Sequence, residues 1–63
     1  MDVSQLKKGD IIKLPMSGHR YQVVNVKAST KNPGIECFWL KLDGSKEPAY
    51  LTPEFYDKLV RDA

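Results

Sequence analysis

The chain has 63 residues, 41% of them hydrophobic, and its ten Lys and Arg against eight Asp and Glu give a formal net charge of +2. This length allows one domain, residues 1–63, with net stability on the order of 3–5 kcal/mol. A single Cys excludes an internal disulfide. A lone thiol is typical of a reducing compartment, and neither a signal peptide nor a bilayer-spanning run is seen, which predicts a cytoplasmic protein without membrane association.

Short apolar runs between turn residues predict strands along most of the chain. The first strand follows Gly9-Asp10, covers residues 11–14 and ends at Pro15, because proline has no N–H for a ladder. The second covers residues 20–28. Its alternation puts Val24, Val26 and Ala28 on one side, and Tyr21, Val23, Asn25 and Lys27 on the other.

Residues 35–42 are predicted to form the central strand, because the run holds the only Trp and the only Cys and lies between two turn signals. Both of its sides are largely apolar: Phe38, Leu40 and Leu42 alternate with Ile35, Cys37 and Trp39. A strand covered on both faces has this pattern. The expected core therefore consists of Phe38, Leu40, Leu42, Val24, Val26 and Ile12.

The fourth strand is expected over residues 46–51, and Pro48 within it indicates a sheet edge or a bulge. Thr52-Pro53 then has the pattern of a helix start, with a capping side chain followed by proline at the first helical position. We expect a short C-terminal α-helix over about residues 53–61. Its apolar stripe is Phe55, Tyr56, Leu59 and Val60.

Four to five short strands with tight turns predict a mainly β fold, in which a strongly bent antiparallel sheet closes into a small barrel and carries that C-terminal helix. The segment Leu6-Lys7-Lys8-Gly9-Asp10-Ile11-Ile12, followed by Gly18 and Tyr21-Gln22-Val23-Val24-Asn25-Val26, resembles the opening hairpin of SH3-like barrels. The resemblance covers about the first 28 residues. It implies an SH3-like fold, whose members include nucleic-acid binders and peptide-binding modules, and it leaves the function open.

No catalytic or metal-binding motif stands out, so we expect neither an enzyme nor a cofactor. His19 and Cys37 are single residues of their kind, and a structural zinc site needs four ligands. Cys37 lies inside a strand without a cationic neighbour in sequence, and it is expected to be a buried apolar residue instead of a nucleophile.

The pattern that favours a function is aromatic and basic. If strand pairing brings together the side of the second strand with Tyr21 and the side of the third with Trp39, rings and cations share one face. Such a face binds single-stranded nucleic acid, because bases stack on rings and cations neutralise phosphates. The candidate residues are Tyr21, Trp39, Tyr50, Lys13, Arg20, Lys27, Lys41 and Lys46.

Two alternatives remain open. The C-terminal helix is able to cover the face with Trp39, which leaves Tyr21 and Tyr50 as the surface aromatics. The chain is also of the size of small regulators, inhibitors and phage-encoded proteins that act by occupying the surface of a partner protein. An exposed edge strand also permits a weak homodimer in place of a monomer.

Overall fold

The computed structural model describes residues 2–27 and 31–62. Within these ranges the chain forms antiparallel strands and two short 3-10 helices, so the mainly β class is confirmed. Ala28, the end of the predicted second strand, lies outside the described residues. The strands are β1 (Ile11–Leu14), β2 (His19–Lys27), β3 (Gly34–Leu40), β4 (Lys46–Leu51) and β5 (Val60–Arg61), and the 3-10 helices are Val3–Gln5 and Pro53–Lys58.

All five strands belong to one sheet with the order β4-β3-β2-β1-β5. The first four strands follow one another as a meander, and β5 returns to pair with β1 at the far edge. Over the described residues β4 and β5 are separate edges, so the sheet is open and the prediction of a closed barrel is wrong. No helix in this part of the chain is both long and apolar enough to cross a membrane.

The predicted α-helix over residues 53–61 is also wrong, although its start is placed correctly. Thr52 precedes a 3-10 helix with proline in its first turn, but the Thr52 hydroxyl donates to the Glu54 carboxylate at 2.8 Å and caps no backbone N–H. The helix ends at Lys58. Leu59 is fully buried in the core and the next two residues pair with β1, so tertiary contacts stop the helix before Arg61.

A bulge in β2 decides which side chains form the core. Val23 pairs with Cys37 and Asn25 pairs with Glu36, so Val24 is an extra residue and the alternation reverses there. As a result Val26 packs against the same cluster as Val23. The buried residues, which define the inner face and the elements packed on it, are Leu6, Ile12, Leu14, Tyr21, Val23, Ile35, Cys37, Leu51 and Leu59.

The predicted core is therefore largely wrong. Ile12 is fully buried and Val26 packs against the core, but Leu42 is fully exposed, Phe38 is 37% exposed, and Leu40 and Val24 are only half-buried. The second 3-10 helix contributes Phe55 and Tyr56 to the inner side of the sheet. Among the described residues, the buried apolar side chains outside the strands pack on the inner side of the sheet, and the outer face of β3 remains in solvent.

The prediction that Pro48 marks a sheet edge is confirmed, because β4 is an edge strand. Pro48 pairs with Phe38, and the Lys41 N–H donates to the Ser45 carbonyl at 2.9 Å. In an antiparallel ladder, hydrogen-bonded pairs alternate with non-bonded pairs, so the backbone of Pro48 points away from β3. The proline therefore costs the β3–β4 ladder no hydrogen bond.

Candidate nucleic-acid interface

The two residues considered for catalysis each contact other groups. His19 lies half-buried with its ring 4.7 Å from Trp39 and 6.4 Å from Tyr21, between ring centroids. Cys37 is buried, and its Sγ lies 3.7 Å from the Ala49 carbonyl oxygen. Within residues 2–27 and 31–62 no group of three or more His, Cys, Asp or Glu is arranged to hold a metal ion.

Burial raises the pKa of the Cys37 thiol to about 11. Since its ordinary pKa is 9.0, we expect alkylation of the native protein at about pH 8 to be slower than in denaturant by roughly 100-fold. A folded-state pKa above the unfolded value also means that the thiol's contribution to stability is present below about pH 9 and is lost as the pH rises towards 11. Iodoacetamide labelling followed by mass spectrometry measures the rate; equal rates with and without denaturant would contradict the burial of Cys37.

The eight predicted site residues divide between the two faces of the sheet. Trp39 pairs with Tyr21 on one side and with Glu47 on the other, so Lys46 and Tyr50 must face the opposite way. Tyr21 is 8% exposed in the core, which corrects the expectation that it lies at the surface. Tyr21 and Trp39 share the inner face, with Lys41 over the Trp39 ring, whereas Lys13, Arg20, Lys27, Lys46 and Tyr50 lie on the outer face.

Three of the cations form a row across the outer face, which we call the basic row: Lys13, Arg20 and Lys46. Lys13 pairs with Arg20, Arg20 with Leu40, and Leu40 with Lys46. The Arg20 guanidinium lies 3.5 Å from the Asp62 carboxylate, and the Lys46 ammonium donates to the Gln22 side chain at 3.3 Å. The Lys13 ammonium has no bonding partner among the described residues.

Lys27 lies on the same face but further along the sheet, where its ammonium is 3.3 Å from the Glu36 carboxylate. Both side chains of this pair are exposed. Exposed pairs of this kind contribute little to stability, typically under about 1 kcal/mol. Lys27 and Arg20 therefore contribute little to stability through these ion pairs, and both remain able to bind a ligand.

Exposed rings lie beside the basic row. Phe38 follows one row further along the strands, next to Gln22 and Pro48, and Tyr50 is 43% exposed on the neighbouring strand. Between them is an open hollow of about 470 Å³. Its lining residues are Val24, Glu36, Cys37, Phe38, Pro48, Ala49 and Tyr50. Sequence alternation set Phe38 apart from Trp39 but gave no signal that Phe38 is the exposed one.

The Tyr50 ring lies against the backbone at Gly34. A Cβ added at Gly34 would meet the far end of this ring, so only glycine leaves the ring room to lie against the backbone. The Tyr50 hydroxyl donates to the Asn32 carbonyl at 2.9 Å. The ring is thus positioned before any ligand arrives, which lowers the entropic cost of binding.

A second surface, which we call the loop-end cleft, lies between the turns that follow β1 and β3. It has a volume of about 510 Å³ and includes the Trp39 ring, over which the Lys41 ammonium lies at 5.0 Å while also contacting Glu47 at 2.7 Å. Leu42 lines the cleft with a side chain fully in solvent, and Met16, in the facing turn, is 72% exposed. His19 and Lys41 both crowd the indole, so its faces are less open to a base than the ring of Phe38 is.

No family model, no curated protein and no solved structure matches this chain.

Proposed function

We propose that this chain is a non-catalytic module that binds single-stranded nucleic acid on the outer face of its sheet. The observation that carries the proposal is the basic row lying beside the exposed rings of Phe38 and Tyr50. Rings supply a stacking surface for bases of any sequence, and cations at their side neutralise the phosphates. The expected ligand is the one that the sequence favours, but the ring at the centre is Phe38 in place of Trp39.

The spacing of the groups supports this arrangement. Phe38 lies two residues from the basic row along β3, which is roughly 7 Å of strand. Phe38 and Tyr50 are diagonal neighbours on adjacent strands, about 7–8 Å apart in such a ladder. A chain of nucleotides crossing the sheet along the basic row therefore has rings within reach of its bases.

The ion pairs on this face reduce its net charge without blocking it. Asp62 lies beside Arg20 at 3.5 Å, and both side chains are substantially exposed. Since an exposed pair is worth little, a phosphate is able to replace the carboxylate at low cost. We expect modest affinity that falls steeply with salt.

The same proposal includes an SH3-like bend of the sheet and a cytoplasmic location. In support of the bend, β1 and β2 pair where the resembling segment predicts a hairpin, and the residues from Thr52 to Leu59 connect one edge strand to the other. In support of the location, the chain has a single Cys, which is buried and forms no internal disulfide.

Fluorescence anisotropy of a labelled single-stranded oligonucleotide tests the ligand. A strand of about ten nucleotides suits a small domain. Phe38→Ala is expected to weaken binding by about 5- to 150-fold, because one stacked base contributes roughly 1–3 kcal/mol. Changing all of the basic row to Gln is expected to make the log–log salt slope shallower by about 2, since each neutralised phosphate contributes roughly 0.7.

Matched controls are available in the same chain. Leu42→Ala also removes an exposed apolar side chain, and a triple change of Lys7, Lys8 and Lys58 to Gln removes three exposed cations that lie outside the strands. Circular dichroism confirms that each variant is folded. Equal losses in the control and test variants, or no binding by the parent at low salt, would contradict the proposal.

A protein partner is the second candidate ligand, and the exposed Leu42 and Met16 at the loop-end cleft favour it. Apolar side chains fully in solvent at loop tips are typical of contact surfaces between proteins. Such binding responds weakly to salt. It is expected to be lost with Leu42→Asp and retained with Phe38→Ala, which is the reverse of the pattern for nucleic acid.

A further inference from the structure

Gln22 lies at the centre of the outer face. It pairs with Ile11 of β1 on one side and with Phe38 of β3 on the other, and its side chain is half-buried. Directly opposite residues in a ladder have their Cβ atoms about 4.5–5.5 Å apart. A base resting on the Phe38 ring therefore has its edge beside the Gln22 amide.

The Gln22 amide is oriented and has unused hydrogen-bonding capacity. The Lys46 ammonium donates to its Oε1 at 3.3 Å. Because an ammonium has no acceptor, this contact fixes which end of the amide faces Lys46, and the NH₂ group points away from it. Within the described residues the NH₂ group has no acceptor, and Oε1 has room for a second donor.

We propose that Gln22 reads the base that stacks on Phe38 and selects adenine; this inference rests on the proposed function. An amide that donates through Nε2 and accepts through Oε1 matches the N7 acceptor and the N6 donor of adenine in a two-bond contact. Unpaired strands expose this edge, so nothing needs to be unwound. Ile11, on the other side of Gln22, offers no competing polar group.

The test compares homopolymers of deoxyadenosine, deoxycytidine and thymidine, equal in length and at one salt concentration, by anisotropy. The parent is expected to bind the adenine polymer about 5- to 150-fold more tightly than the others, the discrimination that one two-bond contact supplies. Gln22→Ala is expected to bring the three affinities within about twofold while leaving the salt slope unchanged. Gln5→Ala, in the first 3-10 helix away from the outer face, is the matched control and is expected to keep the adenine preference.

A second variant makes the inference sharper. Gln22→Glu keeps the size of the side chain but replaces the NH₂ donor with an acceptor, and a carboxylate accepts from N4 of cytosine. The preference is therefore expected to move from adenine to cytosine. If the parent binds but the ranking of the three polymers is the same with Gln, Ala and Glu at position 22, the inference fails and the proposed function survives. If the parent binds none of them at low salt, both fail.

Discussion

Replacing Ile35 with alanine is expected to remove most or all of the free energy of unfolding of this chain. Ile35 is fully buried on the inner face, between Val26 of β2 and Leu51 of β4. Truncating a buried isoleucine costs about 2–5 kcal/mol, because transfer free energy is lost and a cavity is left. A domain of this size has only about 3–5 kcal/mol in total.

Urea titration followed by circular dichroism measures the effect. Leu42→Ala is the matched control, since it removes the same number of side-chain atoms from a fully exposed position, and it is expected to change stability by less than about 0.5 kcal/mol. The opposite ranking, with a stable Ile35→Ala and an unfolded Leu42→Ala, would contradict the burial of Ile35 and the exposure of Leu42.

The second large effect is expected when Gly34 is replaced with alanine, although the backbone conformation at this position suits any residue. Gly34 is not among the glycines with positive φ, so alanine is allowed there by the backbone. The added methyl group would fall on the ring of Tyr50 and force it aside. The displaced atoms are the far end of a side chain that is 43% exposed, so the main loss is the hydrogen bond from the Tyr50 hydroxyl to the Asn32 carbonyl. Gly34→Ala is therefore expected to cost about 0.5–1.5 kcal/mol.

A double-mutant cycle isolates this contact. In a Tyr50→Ala background the ring is absent, and Gly34→Ala is expected to be neutral or to stabilise by up to about 1 kcal/mol, because alanine restricts the unfolded chain. Gly44→Ala is the control, since its φ of +90° makes alanine unfavourable whether or not Tyr50 is present. If the costs of Gly34→Ala and Tyr50→Ala simply add, the ring does not lie against Gly34.

The positions of the strands are predictable from the sequence because turn residues mark their ends. Pro15 and the Asp43-Gly44 turn bound strands as expected, and Pro48 identifies an edge. These signals are local, since each depends on what one residue's backbone is able to do. These turn residues show where each strand begins and ends, but they do not show which face of the strand is buried.

The choice of the buried face was not predictable in this way. β3 is apolar on both sides, so its own pattern is satisfied by either face. The bulge at Val24 then places Val26 on the same face of the sheet as Val23. No residue type in the sequence of β2 predicts that bulge. The final helix also depends on distant contacts, because Leu59 is buried in the core and β5 pairs with β1.

In the candidate site, too, some residues were predictable from the sequence and others were not. The cations of the outer face are in the predicted set, since lysine and arginine in strands seldom point inward. The rings were exchanged: Tyr21 and Trp39 belong to the inner face, and Phe38 belongs with the cations. Gln22 carried no signal at all, because a glutamine in a strand is interesting only once its neighbours are known.

The direction in which Pro48 faces bears on how copies of this chain behave when they are crowded together. On the free side of β4 the backbone donors that remain are those of Lys46 and Tyr50, with the proline between them. A strand from another copy that paired with β4 would lack a backbone N–H donor at Pro48, in the middle of this six-residue edge strand. Growth of one sheet into the next, the first step towards a fibril, is therefore opposed at that edge by a residue that costs the folded chain nothing.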